Sequence, residues 1–100
     1  MPARKKSIKE LTVAIKRAVV AWIGAGRSEI GYLISHTNAN VRIVFGRPSE
    51  GEAVKRVPPL TCVEKEEIGT FLKKLQDLFS LRFSKTDRGT RLICDLSLAT

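Results

Sequence analysis

Residues 61–98 read TCVEKEEIGTFLKKLQDLFSLRFSKTDRGTRLICDLSL, a capped helix followed directly by a hairpin. Thr61 and Glu64 stand at capping-box spacing, so each can satisfy a backbone N–H at the helix start. Glu64, Glu66 and Glu67 crowd the first turns, where the helix dipole favours acids. Ile68, Phe71, Leu72, Leu75, Leu78 and Phe79 then recur at helical spacing and predict one apolar stripe. Beyond Ser80 the period changes to two. Leu81 and Phe83, then Leu92, Cys94, Leu96 and Leu98, flank Thr86-Asp87-Arg88-Gly89, with Gly where a positive φ is wanted.

The same order occurs earlier in the chain. Ser7 and Glu10 again have capping-box spacing, and Ile8, Leu11, Ile15, Ala18, Val19 and Trp22 follow at helical intervals until Gly24 and Gly26. Ile30, Tyr32 and Ile34, then Val41, Ile43 and Phe45, alternate on either side of the turn-rich His36-Thr37-Asn38-Ala39-Asn40. A short helix over residues 28–35 is the competing reading, and Gly31 weighs mildly against it. The chain therefore reads as two helix–hairpin units, 7–46 and 61–98, alike in order but not in residue identity. Between them, Arg47 to Glu52 looks like a turn. Pro58 and Pro59 leave Ala53–Leu60 as an edge strand at best. The expectation is an α+β fold in which two helices pack on one face of an antiparallel sheet, in the order α-β-β-(β)-α-β-β. Residues 1–6 are expected to be a flexible basic tail and 7–100 a single domain.

Composition sets the outer bounds. One hundred residues with 43% hydrophobic and 28% charged content describe one ordinary globular domain, long enough for a modest core. The longest apolar stretch, Ala18–Ala25, is far too short to span a bilayer and has no signal-peptide context. The acid-poor amphipathic start is compatible with an organellar presequence, but the same segment is needed for the core. Cys62 and Cys94 do not make a disulfide framework, so a cytoplasmic or other reducing intracellular compartment is expected.

Nothing in the residue pattern specifies catalysis, and no enzyme is expected. His36 sits in a turn without an adjacent nucleophile, and two cysteines with one histidine do not make a zinc site. Cys94 alternates with Leu92 and Leu96 as a small buried apolar residue would. Cys62 lies beside a helix N-terminus, a setting that stabilises a thiolate. Gly24, Gly26 and Gly31 follow a helix and lack the Lys-Ser/Thr of a nucleotide loop, so they read as helix terminators. No cofactor or metal is implied.

The functional signal is charge. The formal net charge is +8, and residues 1–20 hold six basic residues against one acid, Glu10, a local net of +5. Residues 61–80 hold three lysines against four acids, a net of −1. Such asymmetry draws anionic partners to one end of a small molecule. On the first helix, Lys9 and Lys16 fall opposite the Leu11/Ile15/Ala18 stripe with Arg17 to one side, and that face runs into Arg4, Lys5 and Lys6. The expected partner is nucleic acid, DNA or RNA, or another polyanion contacted along its backbone. Arg42, Arg82 and Arg91, out of phase with the core positions of their strands, are expected on the open sheet face, where they would extend the contact. Tyr32, Phe45 and Phe83 read as core-facing, which leaves no aromatics for base stacking. A second feature favours another class. Val13 and Val20, one heptad apart with Ile23 nearby, fall on the polar face of the same helix. That seam is what a homodimer or a protein partner would cover, as in an adaptor or inhibitor that docks through helix 1 or an unpaired sheet edge.

Overall fold

A computed structural model describes residues 7–47 and 59–98. The order is α1 (Ile8–Gly24), β1 (Gly31–His36), β2 (Asn40–Gly46), α2 (Cys62–Phe79), β3 (Leu81–Asp87) and β4 (Leu92–Leu98). The strands form one antiparallel sheet in the order β1-β2-β4-β3. This is the expected α+β architecture, with a strand at 31–36 and not the competing short helix. The edge strand expected at 53–60 falls mostly outside the described residues; within it, Pro59 and Leu60 are not strand, and Leu60 is buried. The basic tail 1–6 also lies outside them.

Local chemistry explains each boundary. Ser7 caps α1 by accepting the Glu10 N–H at 3.2 Å. Thr61 and Glu64 complete both halves of the capping box on α2, at 3.1 and 2.8 Å. The first hairpin closes through Thr37, whose N–H donates to the Asn40 carbonyl at 2.8 Å while its hydroxyl accepts the Ala39 and Asn40 N–H groups. The second closes where Asp87 accepts the Gly89 N–H at 2.8 Å and Gly89 takes φ +82°. Ser80 alone links α2 to β3, in the left-handed region at φ 53°, which turns the chain from helix to strand within one residue.

β2 and β4 occupy the same place in their respective units and pair antiparallel at the centre of the sheet, Ile43 opposite Cys94. Equivalent strands paired in this way relate the two helix–hairpin units by an approximate twofold axis normal to the sheet. Val41, Ile43, Phe45, Leu92, Cys94 and Leu96 point to one face and are buried. Leu11, Ile15 and Val19 of α1 and Ile68, Phe71, Leu72 and Leu75 of α2 close over that face. Each fully buried aliphatic contributes about 1.5–3 kcal/mol. Exposed ion pairs across the sheet are worth about 0–1 kcal/mol, so the apolar rows set the register.

The helices meet at Trp22. Its ring stacks on Phe71, with centroids 4.7 Å apart, and meets Phe45 edge-on at 5.9 Å. The Arg27 guanidinium lies 4.8 Å from the Trp22 ring centroid, and its Nε donates to Glu67 at 3.1 Å. Leu78 departs from the expected stripe and is 73% exposed. It sits on the Phe71 side of α2, about 80° from the centre of the core stripe at 100° per residue. Phe71 is buried there because Trp22 reaches it, and nothing among the described residues does the same for Leu78.

Arg47 ties the end of β2 to the start of α2. Its guanidinium donates to both oxygens of Glu64, at 2.6 and 2.7 Å, and to the carbonyls of Glu29 and Pro59. Both side chains of the pair are 16% exposed. The Arg47 hydrogen bonds hold the Glu64 carboxyl below the ordinary glutamate range. A depressed folded-state pKa gives stability that is present above the unfolded value and is lost as pH falls through the folded value. Thermal melts should therefore show Glu64→Gln less stable than wild type by about 1–3 kcal/mol at pH 7. The two curves should converge as the pH is lowered below about 4.

Candidate functional site

The cations of the described residues fall into three groups: ion-paired ones, an exposed set on α1, and exposed ones elsewhere, namely Lys73 and Lys74 on α2 and Arg82, Lys85, Arg88 and Arg91 on the β3–β4 hairpin. Arg27, Arg42, Arg47 and Lys65 each face a carboxylate: Glu67 at 3.1 Å, Asp95 at 2.8 Å, Glu64 at 2.6 Å and Asp87 at 2.8 Å. Their charge is neutralised within the fold. Lys9, Lys16 and Arg17 are exposed and form no ion pair with any described residue. They occupy about 100° of arc on the outer side of α1, turned away from Leu11, Ile15 and Val19. Lys73 and Lys74 on α2 are also exposed, but they share their face with Glu66 and Asp77. Glu10 is the single acid of α1.

Val13 and Val20 lie inside the same arc as Lys9 and Lys16, 52% and 48% exposed. Ile23 does not join them. It is partly buried against the core, because its position near the sheet-facing edge of α1 brings it under the helix. Arg4, Lys5 and Lys6 fall outside the described residues.

The three strand arginines do not form one site. Arg42 stands directly opposite Asp95 across β2 and β4, and Nε and Nη2 donate to the two carboxylate oxygens at 2.8 and 3.3 Å. That pairing raises the Arg42 pKa through the hydrogen bonds and holds its charge at home. Arg82, opposite Ser97, lines the same shallow depression of about 400 Å³ together with Asn40, Ser84 and Asp95. Arg91 lies at the far end of β4, with its side chain passing over Gly46. All three belong to the sheet face that carries no helix, whereas the exposed side of α1 faces the opposite way. The two-layer packing puts this face and the basic arc of α1 on opposite sides of the molecule.

The open sheet face also carries an apolar row that the sequence reading passed over. Leu33, Val44 and Ile93 lie side by side across β1, β2 and β4, and Leu33 is 69% exposed. The signal was present in the alternation of Leu33 with Tyr32 and Ile34. Tyr32 and Phe83 pack partly against the core and Phe45 is buried, as expected from their phase.

His36 is exposed at the first hairpin, with Nδ1 3.3 Å from the Thr37 carbonyl oxygen. No group of three or more His, Cys, Asp or Glu among the described residues could hold a metal ion. No helix among them is long and apolar enough to cross a membrane. No protein-family model matches the chain, and no curated protein matches it.

The two thiols differ sharply. Cys94 is buried between the helices and the sheet, and burial pushes its pKa up to about 12. Cys62 is exposed on the first turn of α2. A thiol-alkylating reagent at pH 8 should label only Cys62 in the native protein, read by intact mass. Cys94 should react only after denaturant is added. Labelling of both at equal rates would mean that the core around β4 opens freely.

Proposed function

We propose that the protein is a non-catalytic binder of nucleic-acid phosphate backbone, DNA or RNA, and that it binds through the outer side of α1. The observation that carries this reading is the division of cations. Arg27, Arg42, Arg47 and Lys65 pair with carboxylates, and Lys73 and Lys74 share a face with acids. Arg82, Lys85, Arg88 and Arg91 are exposed without an ion pair but are spread over the β3–β4 hairpin, while Lys9, Lys16 and Arg17 form one exposed group on a single helix with no acid partner among the described residues. Such a group gains affinity by releasing condensed counterions and discriminates little between sequences. The absence of exposed aromatics on this arc favours backbone contact over base stacking.

Titration of duplex DNA, single-stranded DNA and structured RNA at low and physiological salt tests it. Affinity for at least one of the three should fall steeply as salt rises. Lys9→Glu with Lys16→Glu should weaken binding at least about 100-fold at low salt and flatten the log–log salt slope by about 2 for a duplex. The circular dichroism spectrum should be unchanged. Wild-type affinity in the double variant would overturn the reading.

The exposure of Val13 and Val20 favours a second reading, a protein-interaction module docking through the same helix face. It requires that these valines add nothing to the monomer. Val13→Asp should then change monomer stability by less than about 0.5 kcal/mol, measured by urea denaturation. A loss of 2 kcal/mol or more would assign the seam to the core.

A further inference from the structure

The depressions of the surface differ in the charges that line them. The cleft beside Trp22 sets Arg27 and Lys74 against Glu66 and Glu67, and the one at Asn40 sets Arg42 and Arg82 against Asp95. A third, of about 610 Å³, opens where β1 begins and β2 ends. Arg47 and Arg91 line it, and no carboxylate of the described residues does.

Two glycines give this groove its shape. Gly31 and Gly46 stand opposite each other across β1 and β2, in phase with Leu33 and Val44 on the helix-free face. Neither carries a side chain, so the sheet is lowered there to its backbone. Leu33 and Val44, the next outward pair along the strands, rise beside it as an apolar wall, with Leu33 69% exposed. A Cβ on Gly46 would stand 3.7 Å from Arg91 Cγ, so the arginine stem lies in contact with that lowered backbone. The two arginines are not equivalent. Arg47 commits its donors to Glu64 and to the carbonyls of Glu29 and Pro59. Arg91 is exposed and forms no ion pair with any described residue.

We propose that this groove binds a small amphiphilic carboxylate, its apolar chain against Leu33 and Val44 over the two glycines and its carboxylate on the Arg91 guanidinium. Charge complementarity selects the anion. With no acid in the lining and Arg47 already satisfied, the free charge of the groove is positive, and a guanidinium takes a carboxylate bidentately. The wall selects the body. A phosphate ion alone would leave Leu33 and Val44 in water, whereas a hydrocarbon chain covers them. The volume falls within the roughly 300–1,000 Å³ of small-ligand clefts. This site lies across the sheet from the basic arc of α1 and does not depend on the nucleic-acid reading.

Octanoate titrated into the isotope-labelled full chain, with no nucleic acid present, tests it by two-dimensional NMR. The backbone amides of Gly31 and Gly46 should shift saturably, with a Kd on the order of 1 mM. Octanol, a chain of the same length without the charge, should bind at least about 10-fold more weakly. Arg91→Gln should weaken octanoate binding about 10-fold. Lys73→Gln removes an equal charge from the exposed side of α2 and should leave binding unchanged. Leu33→Ser, at an exposed position, should weaken it about 5-fold, and all three variants should keep the dispersed spectrum of the folded chain. No shift at either glycine up to about 10 mM octanoate overturns the proposal. So does octanol binding as tightly as octanoate. Equal weakening by Arg91→Gln and Lys73→Gln overturns it too, because net charge alone would then hold the anion.

Discussion

The pairing of β2 with β4 is the constraint on which the rest of the molecule depends. Each helix–hairpin unit alone would have a two-stranded sheet and one helix, with too little apolar surface to bury. Joined antiparallel at Ile43 and Cys94, the two hairpins present Val41, Ile43, Phe45, Leu92, Cys94 and Leu96 as one floor. Both helices dock on that floor because there is nowhere else for their stripes to go. The approximate twofold follows from the pairing, and with it comes a sheet whose other face is left without a helical layer. Trp22, stacked on Phe71 and edge-on to Phe45, then joins α1, α2 and β2 at a single side chain.

The distribution of charge follows from the same architecture. Arg47 stands where β2 ends and α2 begins, so its bidentate contact with Glu64 reinforces a capping box that already fixes the helix start. Arg27 likewise finds Glu67 where α2 comes near it, and Lys65 of α2 finds Asp87 at the end of β3. Among the described residues no carboxylate pairs with Lys9, Lys16 or Arg17 on the outer side of α1. That face is thus a remainder, positive charge that the described residues do not neutralise. A remainder of that kind is where an external anion gains most.

The sequence made the helices, both hairpins and the α+β class legible because their determinants are local: capping pairs three residues apart, periods of 3.6 and 2, and turn residues between strands. The exposure of Lys9, Lys16, Val13 and Val20 was legible for the same reason, since one helix's geometry decides it. Other features depend on contacts between distant segments. That Arg42 is tied to Asp95 rests on a register 53 residues apart in sequence. The fate of Leu78 and Phe71, one heptad apart on the same side of α2, turns on which of them Trp22 can reach. Ile23 belongs to the core margin and not to the expected seam, because on α1 it lies next to buried Val19.

The two-layer packing also limits what the protein can hold at once. Arg42, Arg82 and Arg91 stand on the far side of the sheet from α1. A partner on the open face meets a different chemistry: an apolar row of Leu33, Val44 and Ile93 beside an arginine already bound to Asp95. Backbone recognition of a polyanion needs free cations, and among the described residues the α1 side gathers Lys9, Lys16 and Arg17 on one helix. The β1 edge lies between these surfaces without a charged side chain, and among the described residues no strand lies beyond it.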